Sequence, residues 1–195
     1  MQDRIFGDRE KAMEESYFRQ EEARLLEKLR QKASLDEIAV ALRDVLLVEN
    51  PELLARARQL GITAETAPAF FLAPLVQVAW AEGKVTKDEL EAVLKIARER
   101  GIDEQSPSYA QLRDWLATRP DDELFDASVE VIKSSYAVLP RKEREERIER
   151  LVDACRTVAE ASGTELAHLL GLGTGVSKVE ASMLDAINTR LRIRG

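Results

Sequence analysis

The chain is short of nearly every residue type on which enzymes and metal centres are built. Its 195 residues include one cysteine, Cys155, and one histidine, His168. A lone cysteine excludes an internal disulfide, and a lone imidazole with no thiol or second histidine to share the ion does not make a zinc site. Cys155 falls within the apolar-periodic run LVDACRTVA, where a buried structural thiol is expected. No carboxylates are spaced beside a nucleophile, and no glycine-rich oxyanion turn accompanies one, so hydrolytic and redox catalysis lack their parts and the chain reads as non-enzymatic. Glu165 and His168 form the single Glu-x-x-His pair, whereas a two-metal carboxylate bundle needs two.

Long apolar runs are missing too. The longest uncharged stretch, Thr66 to Ala81, has 16 residues and two prolines, short of the roughly 20 that a span requires. A buried core helix is expected there, not a membrane segment. The first residues, MQDRIFGDREKAMEES, are charged and have no apolar centre, so no signal peptide is read and the cytoplasm is the expected compartment. Basic residues are outnumbered, 29 against 36 acidic, for a formal net charge of -7. A nucleic-acid partner, which needs a basic face, is therefore not expected. The stretch RKEREERIER, Arg141 to Arg150, carries five basic and four acidic residues and reads as a solvated helix face.

What the sequence does contain is helix formers. With nine Gly, six Pro and an aromatic share of 5%, and with Ala, Leu, Glu and Arg filling the runs, the fold class is all-α. The pattern predicts a compact helical bundle of about seven to eight helices, residues 34–195, preceded by a charged helical arm, residues 1–33. Within the bundle, residues 34–61 form leading helices and residues 63–192 a repeated core. Ser34 and Glu37 fit a capping box opening a helix to about Val48, and Asn50-Pro51 supplies the cap and first-turn proline of the next. Pro74 should bend the apolar helix that leads to Ala81. Thr86 with Glu89, Ser106 with Pro107, Asp121 or Asp122, Pro140, and Ser177 with Glu180 mark the later starts.

The core repeats itself about eighty residues apart. Val78-Ala79-Trp80-Ala81-Glu82-Gly83 matches Val158-Ala159-Glu160-Ala161-Ser162-Gly163, and Val85-Thr86-Lys87-Asp88-Glu89 matches Val176-Ser177-Lys178-Val179-Glu180. Each copy reads as helix, glycine turn, valine, capping box, helix. Lys84 alone bridges the first turn, whereas Thr164 to Gly175 fills the second. That longer turn, TELAHLLGLGTG, has neither the strand and helix setting nor the Lys-Ser/Thr ending of a phosphate loop. Its leucines are expected to lid the core, with an exposed docking loop as the alternative.

The stretch Ala79 to Glu89 resembles the A-x-A-D-G-x-[IV]-x-x-x-E corner of the TerB-like family of small all-helical domains named for tellurite resistance, with Glu82 in place of the aspartate. The likeness covers about residues 63–192. It implies a cytoplasmic, non-enzymatic module linked to metal-oxyanion, phage or envelope stress. It also implies a divalent cation, calcium or similar, held by the corner carboxylates Glu82, Glu89 and Glu180; Ser162 and the longer second turn depart from the family pattern. From the residues alone, Glu89 and Glu180 already have work as capping-box acceptors, and an EF-hand is excluded because Val, Ala and Trp precede Gly83.

The arm, residues 1–33, has eight basic and eight acidic residues and a narrow apolar stripe that includes Phe18, Leu25 and Leu29. Its charged sequence is similar to the helices of bacterial ATPase-inhibitor-type proteins. Such a stripe on a charged helix suits docking on a protein partner or self-association into a homo-oligomer. Two functions follow: a protein-interaction module acting through the arm, and a divalent-metal sensor acting through the corners.

Overall fold

The computed structural model of the protein describes residues 20–21, 24–28, 40–162 and 176–192. The chain divides into two compact units, Met1–Val40 and Ala41–Gly195. In the first, residues 20–21 and 24–28 are helical. The capping box at Ser34, the arm residues Phe18 and Leu29, and the turn 164–175 lie outside the described residues.

The second unit is all-α, with no strand among the described residues. After the helical residues 40–46 come α1 (Pro51–Gln59), α2 (Ala67–Phe70), α3 (Ala73–Ala79), α4 (Lys87–Glu99), α5 (Pro107–Ala117), α6 (Asp122–Ala137), α7 (Arg141–Ser162) and α8 (Lys178–Arg192). Most starts follow the expected chemistry. Asn50 accepts from the amides of Glu52 and Leu53 ahead of Pro51, and Ser106 accepts from the Tyr109 amide ahead of Pro107. The stops at Gly61 and Gly101 are Schellman turns. Each glycine takes a positive φ, 78° and 83°, and the following amide, Ile62 or Ile102, reaches back to the carbonyl of Ala57 or Ala97. The helix through residues 40–46 stops two residues before Val48, because Leu47 turns to φ 54°.

Pro74 does more than bend its helix. The expected run to Ala81 is split into α2 and α3, with Pro74 in the first turn of α3, which takes the helix count past the seven to eight expected. A proline at 74 has no N–H for the Phe70 carbonyl. The Ser128 hydroxyl from α6 donates to that carbonyl instead, at 2.8 Å, inside the core. The break is thus satisfied by a distant helix.

The resulting short helix α3 is the hub. Six of its seven residues are buried, all but Gln77, and it packs against α4, α5, α6, α7 and α8. A helix apolar nearly all round has to be enclosed in this way. The repeat supplies the enclosure: α3 and α4 form the first helix, corner and helix, α7 and α8 the second, and α4 and α8 both pack on α7. Phe70, Leu75, Val76, Phe125, Ile132, Leu151 and Val158 are fully buried in the centre, with Cys155 among them. Among the described residues, this core cluster belongs to the second unit, beginning with Leu42. No described helix is long and apolar enough to cross a membrane.

Candidate functional site: the two capped corners

The first corner leaves α3 at Trp80. The Ala81 amide donates to the Val78 carbonyl and the Gly83 amide to the Trp80 carbonyl, both at 2.9 Å, and Gly83 takes φ 80°, which a side-chain-bearing residue enters only with strain. The Trp80 indole N–H donates to the Trp115 carbonyl at 2.8 Å and fastens the corner to α5. Thr86 then caps α4. Glu89 Oε2 accepts from the Thr86 amide and the Thr86 hydroxyl, each at 2.7 Å, while the Glu89 amide donates to Thr86 Oγ1 at 3.2 Å. This is a complete capping box, as the spacing predicts.

The second corner reproduces it across the repeat. Glu180 Oε2 accepts from the Ser177 amide at 2.7 Å, and the Glu180 amide donates to Ser177 Oγ at 3.2 Å. Both glutamates are buried, with 2% of Glu89 and none of Glu180 exposed. That is rare for a carboxylate, and it places both inside the packed ends of α4 and α8 rather than on the surface.

The two corners meet electrostatically. Burial is the largest influence on Glu89 and raises its pKa above the ordinary carboxylate value; the Thr86 hydrogen bonds pull it down, and the nearby charges of Glu180 and Glu82 push it further up. Glu82 and Glu180, two of the three carboxylates read from the sequence as one candidate set, therefore both act on Glu89, although 98 positions separate them in the chain. Glu82, unlike the other two, is exposed at the surface of the first corner.

As a cation site the donor set is incomplete. Among the described residues, no group of three or more His, Cys, Asp or Glu side chains is arranged to hold a metal ion. One oxygen of each buried glutamate is committed to its own cap, whereas a calcium ion takes about six to eight oxygens. The corner chemistry the side chains do perform is capping, with Glu89 also subject to the charges of Glu180 and Glu82.

Of the arm residues, Leu25 is 52% exposed, and its neighbour Leu26 is 49% exposed. Cys155 is buried as expected, and burial pushes its thiol up to about 12, so it is inert at neutral pH. Sequence reading had no means of finding Ser128 as the partner of the Phe70 carbonyl or the Trp80 contact with α5, because both pair residues from distant helices.

Comparisons with protein-family models, with curated proteins and with solved structures return no match.

Proposed function

We propose that this chain is a non-enzymatic, cytoplasmic module of TerB-like type that works in a stress response by docking a protein partner, or a second copy of itself, through its N-terminal arm. The observation that carries the reading is the division of apolar surface. Among the described residues the core cluster of the second unit begins at Leu42, while the adjacent leucines of the arm, Leu25 and Leu26, are half exposed on a charged helix. Exposed leucines side by side on a short helical stretch are what a helix-in-groove or coiled-coil contact uses. The TerB-like assignment is supported by the repeated corner, whose capping boxes recur in the same form at Thr86 and Ser177.

The test is site-specific photo-crosslinking in cells that make the full chain. A crosslinker at position 25 or 26 is expected to give a discrete adduct, and one on the exposed face of α4 at position 95 none. Absence of any arm adduct above background overturns the docking role.

A second reading, a divalent-cation sensor, is favoured by the charges of Glu180 and Glu82 acting on Glu89, since a cation is drawn to neighbouring carboxylates. It would need oxygen ligands beyond these three. Thermal melts of chelator-stripped protein with calcium, magnesium, manganese or zinc decide it. The sensor predicts a saturable upward shift for one ion that Glu82→Gln with Glu89→Gln abolishes; a shift that survives in this variant removes these residues from the role.

A further inference from the structure

A cleft of about 440 Å³ opens where α5 ends and α6 begins, well within the size range of ligand sites. Its floor is apolar: Trp115 and Leu124 are buried, with Leu60 from the end of α1 beside them. Its walls are acidic. Asp114 stands on the last turns of α5 and Asp121 at the head of α6, and both are exposed.

These two carboxylates are uncommitted. An aspartate at an N-cap ordinarily spends its side chain on the first amides of its helix, but Asp121 caps α6 without any side-chain hydrogen bond. The side chain of Asp114 likewise has no hydrogen-bond or ion-pair partner among the described residues, while its backbone carbonyl accepts from the Thr118 amide. Arg119, which also lines the cleft, forms no ion pair or hydrogen bond with either of them. Its guanidinium is ion-paired to Asp122, donates to the Pro120 carbonyl at 3.2 Å and lies over the Phe125 ring with its carbon 5.5 Å from the centroid. The carbonyl end of the α5 dipole adds to the negative potential.

We propose that this cleft is a docking site for a basic, aliphatic peptide segment of a partner protein, with an arginine or lysine side chain passing between Asp114 and Asp121 and an adjacent aliphatic residue resting on Trp115 and Leu124. Charge complementarity selects the occupant: Asp114 and Asp121 line the cleft without ion-pair partners, while Arg119, its one lining cation, is paired to Asp122. The open, exposed walls suit a side chain presented by a larger partner rather than an enclosed small molecule. The site lies wholly in the second unit, so it stands or falls separately from docking by the arm.

Fluorescence anisotropy of the full chain with a fluorescein-labelled, amidated pentapeptide of alternating leucine and arginine tests this. Saturable binding is expected, at least tenfold weaker for Asp114→Asn with Asp121→Asn and for the same peptide carrying citrulline, which keeps the shape of arginine without its charge. Asp88→Asn, an exposed carboxylate on α4, is expected to bind like the parent. Both cleft aspartates are exposed, so the double variant should fold; Asp114→Asn alone, expected to lose at least threefold, serves as the second measure. Binding that does not saturate, that tolerates citrulline, or that survives both variants overturns the proposal.

Discussion

Glu89 concentrates the chemistry of the corner in one side chain. Its carboxylate is both a cap acceptor and a buried acid facing two others, and the net result is a raised pKa. The sign of the consequence follows from linkage. A carboxylic acid that holds its proton more tightly in the folded chain than in the unfolded one stabilises the fold below its ordinary pKa, near 4.5. That contribution is lost as pH rises through the folded-state value. Glutamine keeps an oxygen for the Thr86 amide but cannot ionise. Glu89→Gln is therefore expected to flatten the pH dependence of unfolding free energy above pH 4.5, so that the variant gains on the parent as pH approaches neutrality. Parallel stability curves in urea titrations across that interval would remove Glu89 from this role. The spacing from Thr86 to Glu89 made the cap legible in the sequence. Burial and the approach of Glu180 were not, because both depend on how α4 and α8 pack.

The helices were legible wherever a local signal delimited them. Asn50-Pro51, Ser106-Pro107, Gly61 and Gly101 act through their own backbone geometry and neighbouring amides, and the structure places helix ends there. Pro74 was harder to read, since whether a proline bends a helix or divides it depends on what accepts the abandoned carbonyl. Here a hydroxyl 58 positions away on Ser128 takes over the Phe70 carbonyl. Ser128→Ala leaves that buried acceptor unpaired, at a cost of about 1–3 kcal/mol. Chemical denaturation of the variant checks it, and a loss well under about 1 kcal/mol would mean that water or a local rearrangement serves the carbonyl as well. The salt bridges contribute little by comparison. Arg141 with Glu145 and Arg147 with Glu143 lie on the exposed face of α7, as the mixed-charge run RKEREERIER implied, and keep that face solvated.

The second unit has its own buried core, and in the first unit the described Leu25 and Leu26 are half exposed. The all-α class and the repeated corner were readable because periodicity and capping recur along the chain; α3 as hub was not, since a short helix apolar all round does not declare its neighbours. The cleft between α5 and α6 was invisible for a similar reason: Leu60, Asp114 and Asp121 come from three segments, and nothing local marks them as a set. The second unit, whose described core begins at Leu42, is expected to fold on its own. Calorimetric unfolding of residues 41–195 beside the full chain tests it most directly. A single cooperative transition within a few degrees of the main transition of the full chain is predicted. A truncated chain with no cooperative transition would make the arm part of the core and contradict the account.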